Sequence, residues 1–226
     1  MCLKQYNAFD DIIRIILRKY HKYIDVISCN TYRNTPQLKL NYTVDYVMEK
    51  NNKPYLINNI KYAMRVKWKN TGNYAIIIGQ NPALSKTSKG NTYNVDDTNW
   101  NIIKILHQNG YAGYIMLNTF PEIDPNGKAY TGRNISDFQQ CLNIKISKLI
   151  FKHLRNIKVI LACTTTNRIS PQYYDCIISK YQMHCVQQPK VTHFASRALS
   201  KLCIYKNIKI SEVSPVFDLN TGTIEF

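Results

Sequence analysis

Between Ile76 and Thr87 the chain runs from a string of apolar residues into a polar turn, Gly79-Gln80-Asn81-Pro82-Ala83-Leu84-Ser85-Lys86-Thr87. In α/β proteins, chemistry gathers where a strand ends in such a loop. A phosphate cradle would need the spacing G-x-x-x-x-G-K-[ST], whose second glycine lets the backbone wrap the anion. Here the spacing is one residue too long, Ser85 stands where that glycine belongs, and Pro82 removes an amide. The phosphate reading fails on those three counts. What remains is a pair of side-chain amides, Gln80 and Asn81. An amide orients water or reads a hydrogen-bonding edge, but it cannot take up a proton. Asn81 is equally a residue type that turns favour before proline. A proton acceptor stands nearby in Asp96 and Asp97, although Asp97 also suits the N-cap of the apolar helix that follows. Asn118, at the end of the next apolar run, is an amide deep enough to need partners, and a nucleobase edge offers both a donor and an acceptor.

The elements that must hold these groups are legible in outline. Residues 9–24 place Phe9, Ile12, Ile13, Ile16, Leu17 and Tyr20 at helical spacing, with Arg14, Arg18, Lys19 and Lys22 on the outer face. Residues 28–60 are mixed and polar, so 1–60 reads as a helical and mixed N-terminal extension and 61–226 as the organised domain. Within that domain, strand and helix patterns alternate: YAMRVKW and YAIIIG as strands, a helix from Asp97 closed by Gly110, YIMLN as a strand, a helix over 135–153, KVILAC as a strand, a helix opened by Ser170 and Pro171, and MHCVQ as a short strand. Such alternation predicts crossover units: a three-layer α/β/α fold on a mainly parallel central sheet.

Thirty Lys and Arg against fourteen Asp and Glu give a formal charge of +16, a field that favours a polyanionic partner, most simply nucleic acid. AT-rich codon usage inflates lysine too, but does not account for so few acids. Seven cysteines are scattered singly, with no C-x-x-C pair, which argues against a zinc knuckle or a metal cluster and suits buried free thiols in a reducing cytoplasm. No apolar run approaches the ~18 residues of a membrane span, and the N-terminal stretch lacks the pattern of a secretory signal.

Three segments together resemble the uracil-DNA glycosylase superfamily. GQNP at 79–82 is similar to its first motif, GQDP or GINP. IMLNT at 115–119 is similar to its LLNT segment, and HFASRALS at 193–200 to a stretched form of HPSPLS. The same core, roughly 62–210, also resembles an uncharacterised family typified by LNPS, DDPTI, GYGG and VNLF segments, whose activity cannot be carried over. The first resemblance implies a uracil-DNA-glycosylase-like fold and a division of labour. Asn81 positions water and His193 stabilises the departing base anion; outside the resemblance, the nearby carboxylate of Asp97 or Asp96 is read as a base or as a stabiliser of the cationic sugar. Tyr93 stacks on an extruded base while Gln80, Ala83 and Asn118 line its pocket. Leu199 fills the gap left in the duplex, and Lys86, Lys89, Ser196, Arg197 and Lys201 hold phosphates. HFASRALS has two more residues between His193 and Leu199 than HPSPLS has between the corresponding positions.

GQDPY-type enzymes carry a tyrosine after the proline that blocks a pyrimidine 5-substituent; here Ala83 leaves that gate open. The expected activity is therefore that of a monofunctional DNA glycosylase acting on a modified base, bulky 5-substituted pyrimidines included, or a mismatched base in DNA. It would need neither metal nor organic cofactor. The alternatives are a non-catalytic DNA-binding protein on the same fold, or an enzyme of free nucleosides or nucleotides. The charge weighs against the last, since small substrates need no such field.

Overall fold

The computed structural model describes residues 2–36, 38–88, 92–124, 135–154, 157–161, 169–180, 216–218 and 224–225. Helix α1 (Cys2–Tyr20) is followed by strands β1 (Ile24–Asn34), β2 (Lys39–Glu49), β3 (Lys61–Lys67) and β4 (Asn73–Gly79). A small hairpin, β5 (Lys86–Ser88) and β6 (Thr92–Asn94), leads to α2 (Asp97–Gln108), β7 (Tyr111–Asn118), α3 (Asp137–His153) and β8 (Lys158–Leu161). One helical turn, α4 (Pro171–Tyr173), continues as a π-helix over Tyr174–Ser179, and β9 (Val216–Asp218) and β10 (Ile224–Glu225) close the chain.

The class is α/β, but the expectation of a mainly parallel sheet is corrected. The main sheet has eight strands in the order β1-β2-β3-β7-β4-β8-β9-β10. Among the described residues only β7–β4 and β4–β8 run parallel. The other five pairings are antiparallel. For β1–β2 and β2–β3 the reason lies in connection length. A parallel neighbour needs a crossover of a dozen or more residues, whereas residues 35–38 and 50–60 are too short for one and turn the chain back on itself. The polar 28–60 stretch is thus largely a long hairpin, paired from Ile24↔Glu49 to Asn34↔Lys39. Strands β1 and β2 extend the main sheet itself.

Helices lie on both faces. Ile76 and Ile78 of β4 join Leu117 of β7 beneath α1, α3 and α4, whose Phe9, Ile12, Ile146, Ile150 and Tyr173 are buried there. Ala75 and Ile77 point the other way, into a second core with Trp100, Ile103 and Leu106 of α2 and Tyr114 and Met116 of β7. The two-residue alternation of a strand makes an uninterrupted apolar run serve two cores at once. On α1, Phe9, Ile12, Ile13 and Ile16 are buried as the spacing predicts, while Leu17 is 38% exposed and Arg14, Arg18 and Lys19 face outward.

Local signals set the helix ends. Ser136 and Gln139 form a reciprocal capping box at α3, and Ser170 caps α4 with Pro171 in its first turn. Gly110, at φ +78°, takes the left-handed position after α2, where a Cβ would be strained. The α2 N-cap is Asp96, whose side chain accepts from Asn99 N–H at 3.1 Å; Asp97, expected in that role, occupies the first turn. Cys29, Cys141 and Cys176 are free, but Cys141 is exposed and the other two are half-buried, which corrects the expectation of buried thiols for these three. The MHCVQ segment lies outside the described residues.

Candidate functional site

From β4 the chain crosses to β7 on one side, and from β7 it returns past β4 to β8 on the other. The order reverses about β4, so the topological switch point, where such sheets take ligands, falls between β4 and β8, beside the paired carboxyl ends of β4 and β7. Gly79 ends β4 and Asn118 ends β7, opposite each other in register. Three hydrogen bonds join the loops beyond them. Thr119 N–H donates to Gly79 O at 3.0 Å, Phe120 N–H to Gln80 O at 2.9 Å, and Thr119 Oγ1 to Gln80 O at 3.0 Å. Gln80, Asn81 and Ala83, all half-buried, are thereby brought to the end of β7 that carries Asn118.

Asn118 is 2% exposed, and its Oδ1 is buried without a hydrogen-bond partner among the described residues. That oxygen lies against Gly79: a Cβ built on the glycine would sit 2.8 Å from it and 2.5 Å from Met116 Cε. The methionine end can swing aside; the short, enclosed amide cannot. Gly79→Ala is therefore expected to re-aim Asn118, costing about 1–3 kcal/mol of stability as overpacking does. Chemical denaturation would measure the loss, and the amide 15N shift of Asn118 would report the displacement.

Behind Asn118 stands a brace that the sequence reading missed. Asn143 Nδ2 donates to Asn118 O at 2.9 Å, and Gln140 Nε2 donates to Thr119 O and Ser170 Oγ, both at 2.9 Å. The signal was present: Gln140, Asn143 and Ser147 occupy one stripe of α3 at helical spacing, and all three are buried. Buried polar groups at that spacing mark a helix face that holds something polar.

The other expected residues divide sharply. Asn81 Nδ2 donates to the backbone carbonyl of Asp124 at 2.5 Å, which ties the loop to the segment after β7. Asp96 is engaged at the helix cap, accepting also from Asn99 Nδ2 at 2.6 Å. The Asp97 side chain is 69% exposed and pairs with Arg33 of β1 at 3.1 Å. Tyr93, half-buried on β6, stacks on Tyr55 with ring centroids 5.3 Å apart and planes at 18°, and its carbonyl accepts from Thr31 Oγ1 at 3.2 Å. Tyr93 and Asp97 are thus tied toward β1 through Thr31 and Arg33. Lys86 lies on β5, paired with Asn94. His193, Lys89, Ser196, Arg197, Leu199 and Lys201 lie outside the described residues.

Lys61, at the start of β3, also went unnoticed in sequence. It is 4% exposed. Its Nζ donates to Ala83 O at 2.8 Å and reaches Ser85 Oγ at 3.4 Å, and it lies 5.1 Å from the centre of the Tyr46 ring. Burial lowers its pKa from 10.5 to about 8, opposed in part by the charge of Asp96. Between about 8 and 10.5 the folded protein therefore holds fewer protons than the unfolded chain, and stability rises with pH across that window. Below it, the buried charge carries its full cost, about 3 kcal/mol for a shift of this size. The stability difference between wild type and Lys61→Met is expected to move in favour of wild type by that amount from pH 7.5 to 10.5, read from urea midpoints; a flat difference contradicts the linkage.

Among the described residues no group of His, Cys, Asp and Glu is placed to hold a metal, and no helix is long and apolar enough to cross a membrane. Residues 61–170 match the model of a family described as a protein of unknown function (DUF1643). The matched stretch is just under half of the chain, and it runs from Lys61 through both loops and the α3 brace to Ser170. It agrees with the second of the two resemblances read from the sequence. No curated protein and no solved structure matches the chain. The glycosylase resemblance rests on the residues alone.

Proposed function

We propose that this protein is a monofunctional DNA glycosylase that extrudes a modified or mismatched base and hydrolyses its glycosidic bond, leaving an abasic site. The observation that carries the reading is Asn118: a nearly enclosed amide with an unpartnered oxygen, at the carboxyl end of a parallel strand, braced from behind by Asn143. A buried carbonyl oxygen without a donor is costly unless a ligand supplies one, and a base edge offers such a donor. In this reading Asn81 is the water-positioning group, and Ala83, in place of the gate tyrosine, admits a 5-substituent. The charge of +16 suits a DNA partner, held through phosphates with steep salt dependence. His193, Leu199 and the basic residues around them complete the proposed set, the histidine toward the leaving base and the others toward the DNA.

One observation favours a second reading, a non-catalytic DNA-binding protein on the same scaffold. The Asn81 amide donates into a backbone carbonyl, and Asp97 is paired at the surface. A single experiment separates the two. DNA carrying uracil, mismatched thymine or a bulky 5-substituted cytosine is incubated with the protein and assayed for alkali-labile sites. Release of the 5-substituted or mismatched base above uracil is the expected result. Equal or better release of uracil from duplex DNA would contradict the open gate at Ala83. Salt-sensitive binding with no release from any substrate would favour the binding protein.

A further inference from the structure

Lys61 is a buried cation with no carboxylate within ion-pair distance among the described residues. A lysine so enclosed is costly unless its position matters. Its hydrogen bonds lead to one place, the turn that follows GQNP. The ammonium donates to the carbonyl of Ala83, the residue standing where a steric gate would be, and reaches the hydroxyl of Ser85. The turn is held a second time where Ser85 N–H donates to Pro54 O at 2.9 Å. The lysine backbone is itself fixed by donation from its N–H to Pro121 O at 2.8 Å. One residue therefore links β3, the turn after β4 and the segment after β7.

We infer that Lys61 is a positioning residue of this site: its buried ammonium tethers the turn from Ala83 to Ser85 and so sets the wall against which a pyrimidine 5-substituent is sorted. The selectivity half of this inference rests on the glycosylase reading; the tether does not. The groups facing the ammonium are the Tyr46 ring from β2, the Ser85 hydroxyl and Ala83 carbonyl from the turn, and the Asp96 carboxylate, which acts from the α2 cap through space. Glu122 lies on the segment bridged to Ile60, next in the chain to Lys61. Held by a carbonyl and a hydroxyl and shut from solvent, the amine serves as a tether and not as a nucleophile. The amine donates a hydrogen bond whether or not it is charged, so the tether to Ala83 O does not depend on the proton.

Two measurements test this. The first is amide hydrogen exchange at Ser85 in the free protein, which needs no substrate. In Lys61→Met it is expected to quicken by about tenfold or more while the amides of β4 and β7 keep their protection. The second is the ratio of kcat/KM for a bulky 5-substituted cytosine to that for uracil. That ratio is expected to fall at least about tenfold in Lys61→Met and to recover in part in Lys61→Arg, which retains the charge. Unchanged Ser85 exchange overturns the tether. Faster exchange with an unchanged ratio overturns the selectivity role. Faster exchange in a protein whose wild type releases no base upholds the tether and rejects the glycosylase reading. Should the methionine variant not fold, the wild type supplies the test. Opening the turn returns Lys61 to water and to its ordinary pKa, so Ser85 exchange, corrected for intrinsic rates, must slow between pH 7 and 10; a constant corrected rate overturns the inference.

Discussion

Asn118→Ala is expected to slow base release by roughly 10²–10³-fold, the loss that follows removal of one preorganised polar group at a reacting centre, while leaving the unfolding midpoint close to that of wild type. The two halves of this result have the same physical origin. The Asn118 side chain is enclosed, yet its Oδ1 has no hydrogen-bond partner among the described residues, so cutting it back removes an uncompensated polar atom instead of a stabilising contact. The brace from Asn143 and Gln140 goes to the backbone carbonyls of Asn118 and Thr119 and survives the substitution. Single-turnover release of base from a 5-substituted duplex, paired with urea denaturation, reads both quantities. A variant as active as wild type would remove Asn118 from the mechanism. A variant that unfolds several kcal/mol more easily would make the amide a structural residue instead.

The second large effect is on stability. Arg65→Ala is expected to cost about 3–5 kcal/mol, because it strands a buried carboxylate. Arg65 Nη2 meets Asp45 at 2.8 Å, with side-chain exposures of 13% and 6%, its Nε donates to the same carboxylate at 2.8 Å, and its Nη1 donates to the carbonyls of Phe9 and Asp10 at 3.0 and 2.7 Å. The guanidinium therefore joins α1, β2 and β3 at a single point, and beside it Phe9 stacks on Tyr74 of β4 with centroids 3.8 Å apart. Loss in one cooperative transition, seen as coincident fluorescence and circular-dichroism melts, is the expected form. A separate early transition confined to α1 would show that this helix unfolds on its own. Arg65→Ala combined with Asp45→Ala should recover part of the loss, since it removes the stranded charge as well.

Much of the scaffold was legible because its signals are local. The apolar runs before Gly79 and Asn118 announce buried strands, the apolar spacing over 135–153 announces α3, and Ser170 with Pro171 announces the turn that starts α4. Asn118 was legible too, since an amide at the end of such a run must lie deep. The direction of the outer strands was not. The β1–β2 hairpin is polar over much of its length because part of it is half-buried or exposed, so no apolar alternation marks it. Its order comes from a ladder of backbone hydrogen bonds, which every residue except proline can supply. Asp97 was placed one residue off as a cap because Asp96 and Asp97 are alike in type and only the fold chooses between them. Lys61 was illegible for a related reason: in sequence it is one lysine among many, and it is buried only because a turn more than twenty residues away closes over it.

By itself, then, the sequence determined which segments are strands and helices in the core, the basic character of the molecule, and the pairing of GQNP with Asn118 as the place to look. Those properties depend on side-chain type and short-range periodicity. Only the tertiary structure decided that the sheet is mixed, that α3 braces Asn118 from behind, that Asp97 is drawn to Arg33, and that Lys61 holds the turn after GQNP. Each of these depends on which distant group supplies the hydrogen bond or excludes the water, and no spacing along the chain encodes that.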